Sequence, residues 1–188
     1  MELIEQYIKD VVQATQSIDL VAVQKVLDVL EQAYHEEKSV CMIGNGGSAA
    51  AASHFAEDLA KGSLNDNEPK RFRVTSLTDN TPYITAIAND IGYEDIFVFQ
   101  LRQSARPGDI LVAISGSGNS PNIIKAVDYA KSKGISVIGF TGFDGGKLFQ
   151  LANYNLHVPI MDMCKTESVH STIMHLITDL LKKRLDMN

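Results

Sequence analysis

A chain of 188 residues, 45% apolar and 21% charged, has the makeup of a globular protein able to bury a sizeable core. A net charge of −6 disfavours a general nucleic-acid binder, which needs a basic face. No apolar run approaches the ~20 residues that cross a bilayer, and the first residues lack the basic start and unbroken apolar run of a secretory leader, so a cytoplasmic protein with no membrane partner is expected.

Leu3, Ile4, Tyr7, Ile8, Val11 and Val12 recur at helical spacing, which predicts an amphipathic helix over 2–16. The pattern repeats over 20–36, with Asp19 as its N-cap. The period then changes. Ser39 to Ile43 is a short apolar run ending in Gly-Asn-Gly-Gly-Ser, a buried strand feeding a turn, and the Ala-rich stretch 49–61 reads as the next helix. Residues 62–72 are polar and breaker-rich, which predicts a surface loop. Its basic cluster, Lys70 to Arg73, reads as a solvated loop edge, though such a loop could also approach a neighbouring subunit's substrate. A strand over 73–77 and helices over 82–89 and 95–104 follow, then a strand over 110–114. Helix 122–133 ends at Gly134, strand 136–140 precedes a short helix over 148–152, and a strand over 154–158 leads to a last helix over 167–185. Nearly all-apolar strands alternating with helices predict an α/β fold: a doubly wound, five-stranded parallel sheet with two extra N-terminal helices, forming one domain over 1–188. Cys41 and Cys164 form no CxxC and read as reduced thiols.

In an open α/β sheet, ligands bind beyond the carboxyl ends of the strands, where loops enter helices. Two loops have the composition that place wants. Gly44 to Ser48 supplies glycines that let the backbone approach an anion, with free amides at the following helix start. Ser115 to Ser120 supplies three hydroxyls, with Pro121 placed to open the next helix. Neither is a GxxxxGK[ST] loop, and although Gly44 to Ala49 fits a loose GxGxxA, no acidic strand end follows about 20 residues on. A compact phosphate ester is the expected ligand.

The stretches CMIGNGGSAAAASHFAEDL, ANDIGYEDIF and GDILVAISGSGNSPNIIKAVDYAKSKGISVIGFTGFDGG resemble the sugar isomerase (SIS) fold, in particular its phosphoheptose isomerase branch. The resemblance covers nearly the whole chain. It implies interconversion of sedoheptulose 7-phosphate and D-glycero-D-manno-heptose 7-phosphate, a homotetramer with sites at subunit interfaces, and zinc in several members. It implies a substrate site lined by Asn45, Gly46, Gly47, Ser48, Asn89, Asp90, Ser115, Gly116, Ser117, Ser120 and Glu167. Asp90 has a bland alternative, capping a turn with Asn89.

Aldose–ketose isomerisation needs a proton-transfer group and something to stabilise the enediolate charge. His54 and Asp58, four residues apart, share one face of the helix after the first loop. Glu167, His170 and His175 lie on the last helix, and His170 and His175 differ by about 140° around it, so they point to different sites. His170 reads as an interface or supporting residue. The resemblance implies a metal set of His54, Asp58, Glu167 and His175, with Asp58, His175 and Glu167 as candidates for catalysis, and two histidines with two carboxylates suit zinc. Three positions depart from the family pattern: Asp58 stands where the branch has Glu, Glu167 where it has Gln, and Gly116 where many members have Thr. Asp58 and Glu167 could otherwise be ordinary solvated acids. Two further functions stay open: isomerisation of another phosphosugar, and a non-catalytic SIS-domain protein that binds a sugar phosphate or a replication-initiator protein.

Overall fold

The computed structural model describes residues 1–65 and 67–186, so position 66 of the predicted 62–72 loop lies outside the described residues. Helices α1 (Glu2–Gln16) and α2 (Leu20–His35) come first, and the Asp19 carboxylate caps α2 by accepting from the Val21 and Ala22 amides at 2.9 and 3.1 Å. Then follow β1 (Ser39–Gly44), α3 (Gly47–Glu57) and a π turn over Asp58–Gly62. Next come β2 (Arg73–Ser76), α4 (Thr81–Asp90), a 3-10 turn over Tyr93–Asp95 and α5 (Ile96–Ser104). The remainder is β3 (Ile110–Ser115), α6 (Pro121–Ser132), β4 (Ser136–Thr141), α7 (Gly146–Leu151), β5 (Tyr154–His157) and α8 (Met163–Asp186).

The five strands form one parallel sheet in the order β2-β1-β3-β4-β5. Because side chains alternate across a strand, each central strand feeds two cores. Val40, Met42, Ile110, Val112 and Ile114 face a core closed by α2, α3 and α8. Cys41, Ile43, Leu111 and Ala113 face another closed by α5 and α6. The chain leaves β1 toward β2 on one side and returns to β3 on the other. That reversal opens a crevice at the carboxyl ends of β1 and β3, the two strands that carry the Gly/Ser loops.

Two of the boundaries that differ from the sequence reading have a plain local reason. Helix α3 starts two residues earlier, because Gly46 at φ +54° turns the chain so that its carbonyl accepts from the Ala49 and Ala50 amides. Helix α8 starts a turn earlier, because the Asp162 carboxylate accepts from the Lys165 amide at 3.1 Å, an N-cap the apolar period does not register. Both cysteines are free: Cys41 is buried, which pushes its thiol up to about 11, and Cys164 is exposed.

Candidate active site

The loop after β3 is held tightly enough to present its hydroxyls. Gly118 sits at φ +64°, its amide bonds the Ser115 carbonyl at 2.9 Å, and a Cβ there would strike the Gly145 carbonyl, so glycine is required. The Asn119 amide bonds the Ser117 carbonyl at 2.9 Å and accepts from the Lys147 amide at 3.2 Å, tying this loop to the one after β4. Ser120 sits at the N-cap of α6 without using its hydroxyl to cap, and that hydroxyl lies 3.5 Å from the Ser115 hydroxyl. Ser115, Gly116, Ser117 and Ser120 line a cavity of about 200 Å³ that Asn45, Ser48, Met163 and Glu167 complete.

A second cavity of about 440 Å³ adjoins the first. Ser48, Ile114 and Glu167 border both, while Gly47, His54 and His170 line only the larger. The Glu167 carboxylate packs against Gly47, where a Cβ would lie 2.8 Å from either oxygen. Here the first loop's glycine admits a side chain from α8.

At the carboxyl end of α3, His54, Asp58 and His175 converge. The Asp58 Oδ2 lies 3.8 Å from His54 Nε2 and 3.7 Å from His175 Nε2, and the two imidazoles stand 5.1 Å apart at 74°. Among the described residues nothing donates a hydrogen bond to that buried oxygen, and one ligand atom from each side chain falls within 4.8 Å of the others. A buried, unbonded carboxylate oxygen between two imidazole nitrogens suits a divalent cation, and two histidines with one carboxylate leave room for a further ligand. Glu167 does not join them. It is two turns of α8 before His175, about 12 Å along the axis, and its carboxylate is directed to Gly47. Of the four residues expected as ligands, the structure brings His54, Asp58 and His175 together and leaves Glu167 on the cavity wall.

The remaining expected residues divide. Asn45 is locked in place: its amide exchanges hydrogen bonds with Asn122 at 2.9 and 2.8 Å, and the Tyr93 hydroxyl donates to its carbonyl at 3.0 Å. Asn122 and Tyr93 were not singled out from the sequence, since nothing local links them to a residue 77 or 48 positions away. Gly46 shapes the entry to α3. Asn89 and Asp90 bond each other at 2.7 Å, exposed at the end of α4, and line neither cavity. Met163 was also missed. A Cβ at Gly116 would fall on its sulfur, so the thioether fills the space of the absent side chain.

The switch-point crevice and its paired hydroxyl-rich and glycine-rich loops define a SIS-type domain, and the model of the SIS domain family matches residues 5–142. The phosphoheptose isomerase of Rhodospirillum rubrum is 38% identical over 164 residues, 87% of this chain and 86% of that one. The phosphoheptose isomerase structure from Neisseria gonorrhoeae superposes with a TM-score of 0.88 at 30% identity, covering 97% of this chain and 98% of the other. That from Francisella tularensis gives 0.87 at 29% identity, with 97% of each chain covered. The chain belongs to the phosphoheptose isomerase family of SIS-domain phosphosugar isomerases.

Proposed function

We propose that this protein interconverts sedoheptulose 7-phosphate and D-glycero-D-manno-heptose 7-phosphate. The observation that carries this reading is the pair of adjoining cavities with Glu167 on their common wall. The smaller, lined by serine hydroxyls at the start of α6, takes the phosphate, whose charge the helix start favours. The larger takes the carbon chain.

The Glu167 carboxylate stands apart from the His54–Asp58–His175 cluster and borders the larger cavity, where the carbonyl end of the chain would lie, so it is the group to move the proton between the two adjacent carbons. Asn45, on the wall of the smaller cavity and held by Asn122 and Tyr93, meets the phosphate end of the ligand through a side chain that need not reorganise on binding. His54, Asp58 and His175 would hold zinc, which supplies Lewis-acid polarisation of a carbonyl oxygen when bound.

In this reading residues 1–188 are one SIS domain with an N-terminal helical extension. Leu3, Ile4 and Ile8 on α1 are 87, 60 and 55% exposed, an apolar strip that supports self-association into a homotetramer. Asn89 and Asp90 would then serve a site shared between subunits. Among the described residues no helix is long and apolar enough to cross a membrane, in keeping with a cytoplasmic enzyme. Incubation with pentose, hexose and heptose phosphates, with and without added zinc, tests the proposal. Turnover greatest with sedoheptulose 7-phosphate is expected, and turnover of none of the sugars would refute it.

A further inference from the structure

His170 has an unusual standing on the cavity wall. It is 1% exposed, packs edge-on against Phe140 at 5.5 Å between ring centres, and lies one turn after Glu167 on the same face of α8. Burial pushes its imidazolium down to about 4, so the ring is neutral at physiological pH. Its Nε2 lies 3.1 Å from the Thr141 carbonyl oxygen. A carbonyl only accepts, so Nε2 carries the ring's proton and Nδ1 is left as an acceptor. Among the described residues nothing donates to Nδ1, although the atom is buried. A buried acceptor without a donor is costly, and in a functional cavity such a group is matched by the ligand. The same cavity is lined by Gly47, Ser48 and Glu167.

We propose that His170 Nδ1 accepts a hydrogen bond from a hydroxyl of the bound sugar, making His170 a substrate-binding residue. The inference rests on the sugar-phosphate reading above and adds to it a contact that selects for a hydroxylated chain. A ligand lacking that hydroxyl would leave Nδ1 unpaired, and sites of this kind reject such analogues strongly.

The test exploits the ring's two ends. The side-chain amide of Asn reaches about as far as Nδ1, and that of Gln about as far as Nε2. Zinc-loaded wild type, His170→Asn and His170→Gln are compared for kcat and KM on sedoheptulose 7-phosphate and for thermal midpoint. Gln keeps the donor to Thr141, so its midpoint should stay near wild type while KM rises roughly tenfold, the loss of one hydrogen bond. Asn keeps the acceptor, so KM should return toward wild type at a lower midpoint. A Gln variant with wild-type KM, or an Asn variant impaired as much as Gln, overturns the inference while leaving the isomerase reading intact. In wild type the nitrogen NMR resonance of Nδ1 should move when the sugar phosphate binds, and an unmoved resonance overturns it even if neither variant folds. Absence of any turnover by the wild type overturns both readings together.

Discussion

Replacing Gly116 with threonine would build a Cβ on the Met163 sulfur and within 3.1 Å of its methyl carbon. Two features set the size of the effect. The obstructing atoms are the far end of a flexible side chain, and Met163 is 40% exposed, so the thioether can swing toward solvent without moving the backbone of α8. The cost of Gly116→Thr should therefore sit at the low end of overpacking, about 1 kcal/mol. Trimming the obstruction with Met163→Ala should remove that cost, so the double variant should be no less stable than Met163→Ala alone, a coupling of about 1 kcal/mol. Urea denaturation of the wild type, both single variants and the double variant measures the cycle, and KM for the sugar phosphate reports the functional side. Relief of the contact also adds a hydroxyl to the cavity proposed to take the phosphate, so KM of the double variant should fall below that of Met163→Ala. If Gly116→Thr costs the same in both backgrounds, the two residues do not share the space, and the account of position 116 fails.

Gly118→Ala should be far more damaging, by about 3 kcal/mol or more, because it adds a positive-φ penalty to a clash with the fixed Gly145 carbonyl; thermal denaturation checks it. Asp58→Asn should lower bound zinc, measured by elemental analysis of dialysed protein, at least tenfold relative to wild type, since it removes the anionic ligand between two imidazoles. Stability should also carry an acid limb from His170. Its folded value of about 4 lies below the unfolded value of 6.5, so the unfolded chain binds the proton first and stability is lost as pH falls from 6.5 toward 4. That difference amounts to about 3 kcal/mol, and the gap in unfolding free energy between wild type and His170→Gln, followed by urea titration across this window, should shrink or reverse by that amount on acidification.

The fold was legible because its signals are local. Apolar runs such as Ile110 to Ile114 can only be strands buried on both faces, and Gly134, Asp19 and Pro121 mark helix ends by their own backbone and side-chain chemistry. The Gly/Ser loop after β3 was legible for the same reason, as Gly118 and the serines act within six residues of one another. What depends on distant packing was not. The Asn45–Asn122 exchange spans 77 residues, and the Met163 sulfur reaches Gly116 across 47 positions, with no periodicity to announce either. Glu167 was singled out in the sequence, but the structure sets it apart from His54, Asp58 and His175. Angular reckoning around a helix says nothing of the roughly 12 Å that separates it from His175 along the axis, or of the opening at Gly47 that receives its carboxylate.

The same packing accounts for the aspartate at position 58. Measured on an ideal helix, a carboxylate one methylene short of glutamate should fall ~1 Å or more from its place. The helix here is not ideal. From Asp58 it widens into a π turn, with the Ser63 amide bonded to the Asp58 carbonyl at 2.9 Å, and the turn ends on Gly62. Position 62 faces α8, where a Cβ would lie 3.3 Å from the Thr178 methyl, so a side chain there needs that methyl to give by a few tenths of an ångström. Thr178 is three residues beyond His175 on α8, one turn along the same face. The close approach that Gly62 permits is thus the one that brings His175 to 3.7 Å from Asp58. With α8 drawn in this far, the shorter carboxylate already meets both imidazoles, while Glu57, on the exposed face of α3, stays out of the cluster. The aspartate at position 58 thus reaches both imidazoles where Gly62 lets α8 come close.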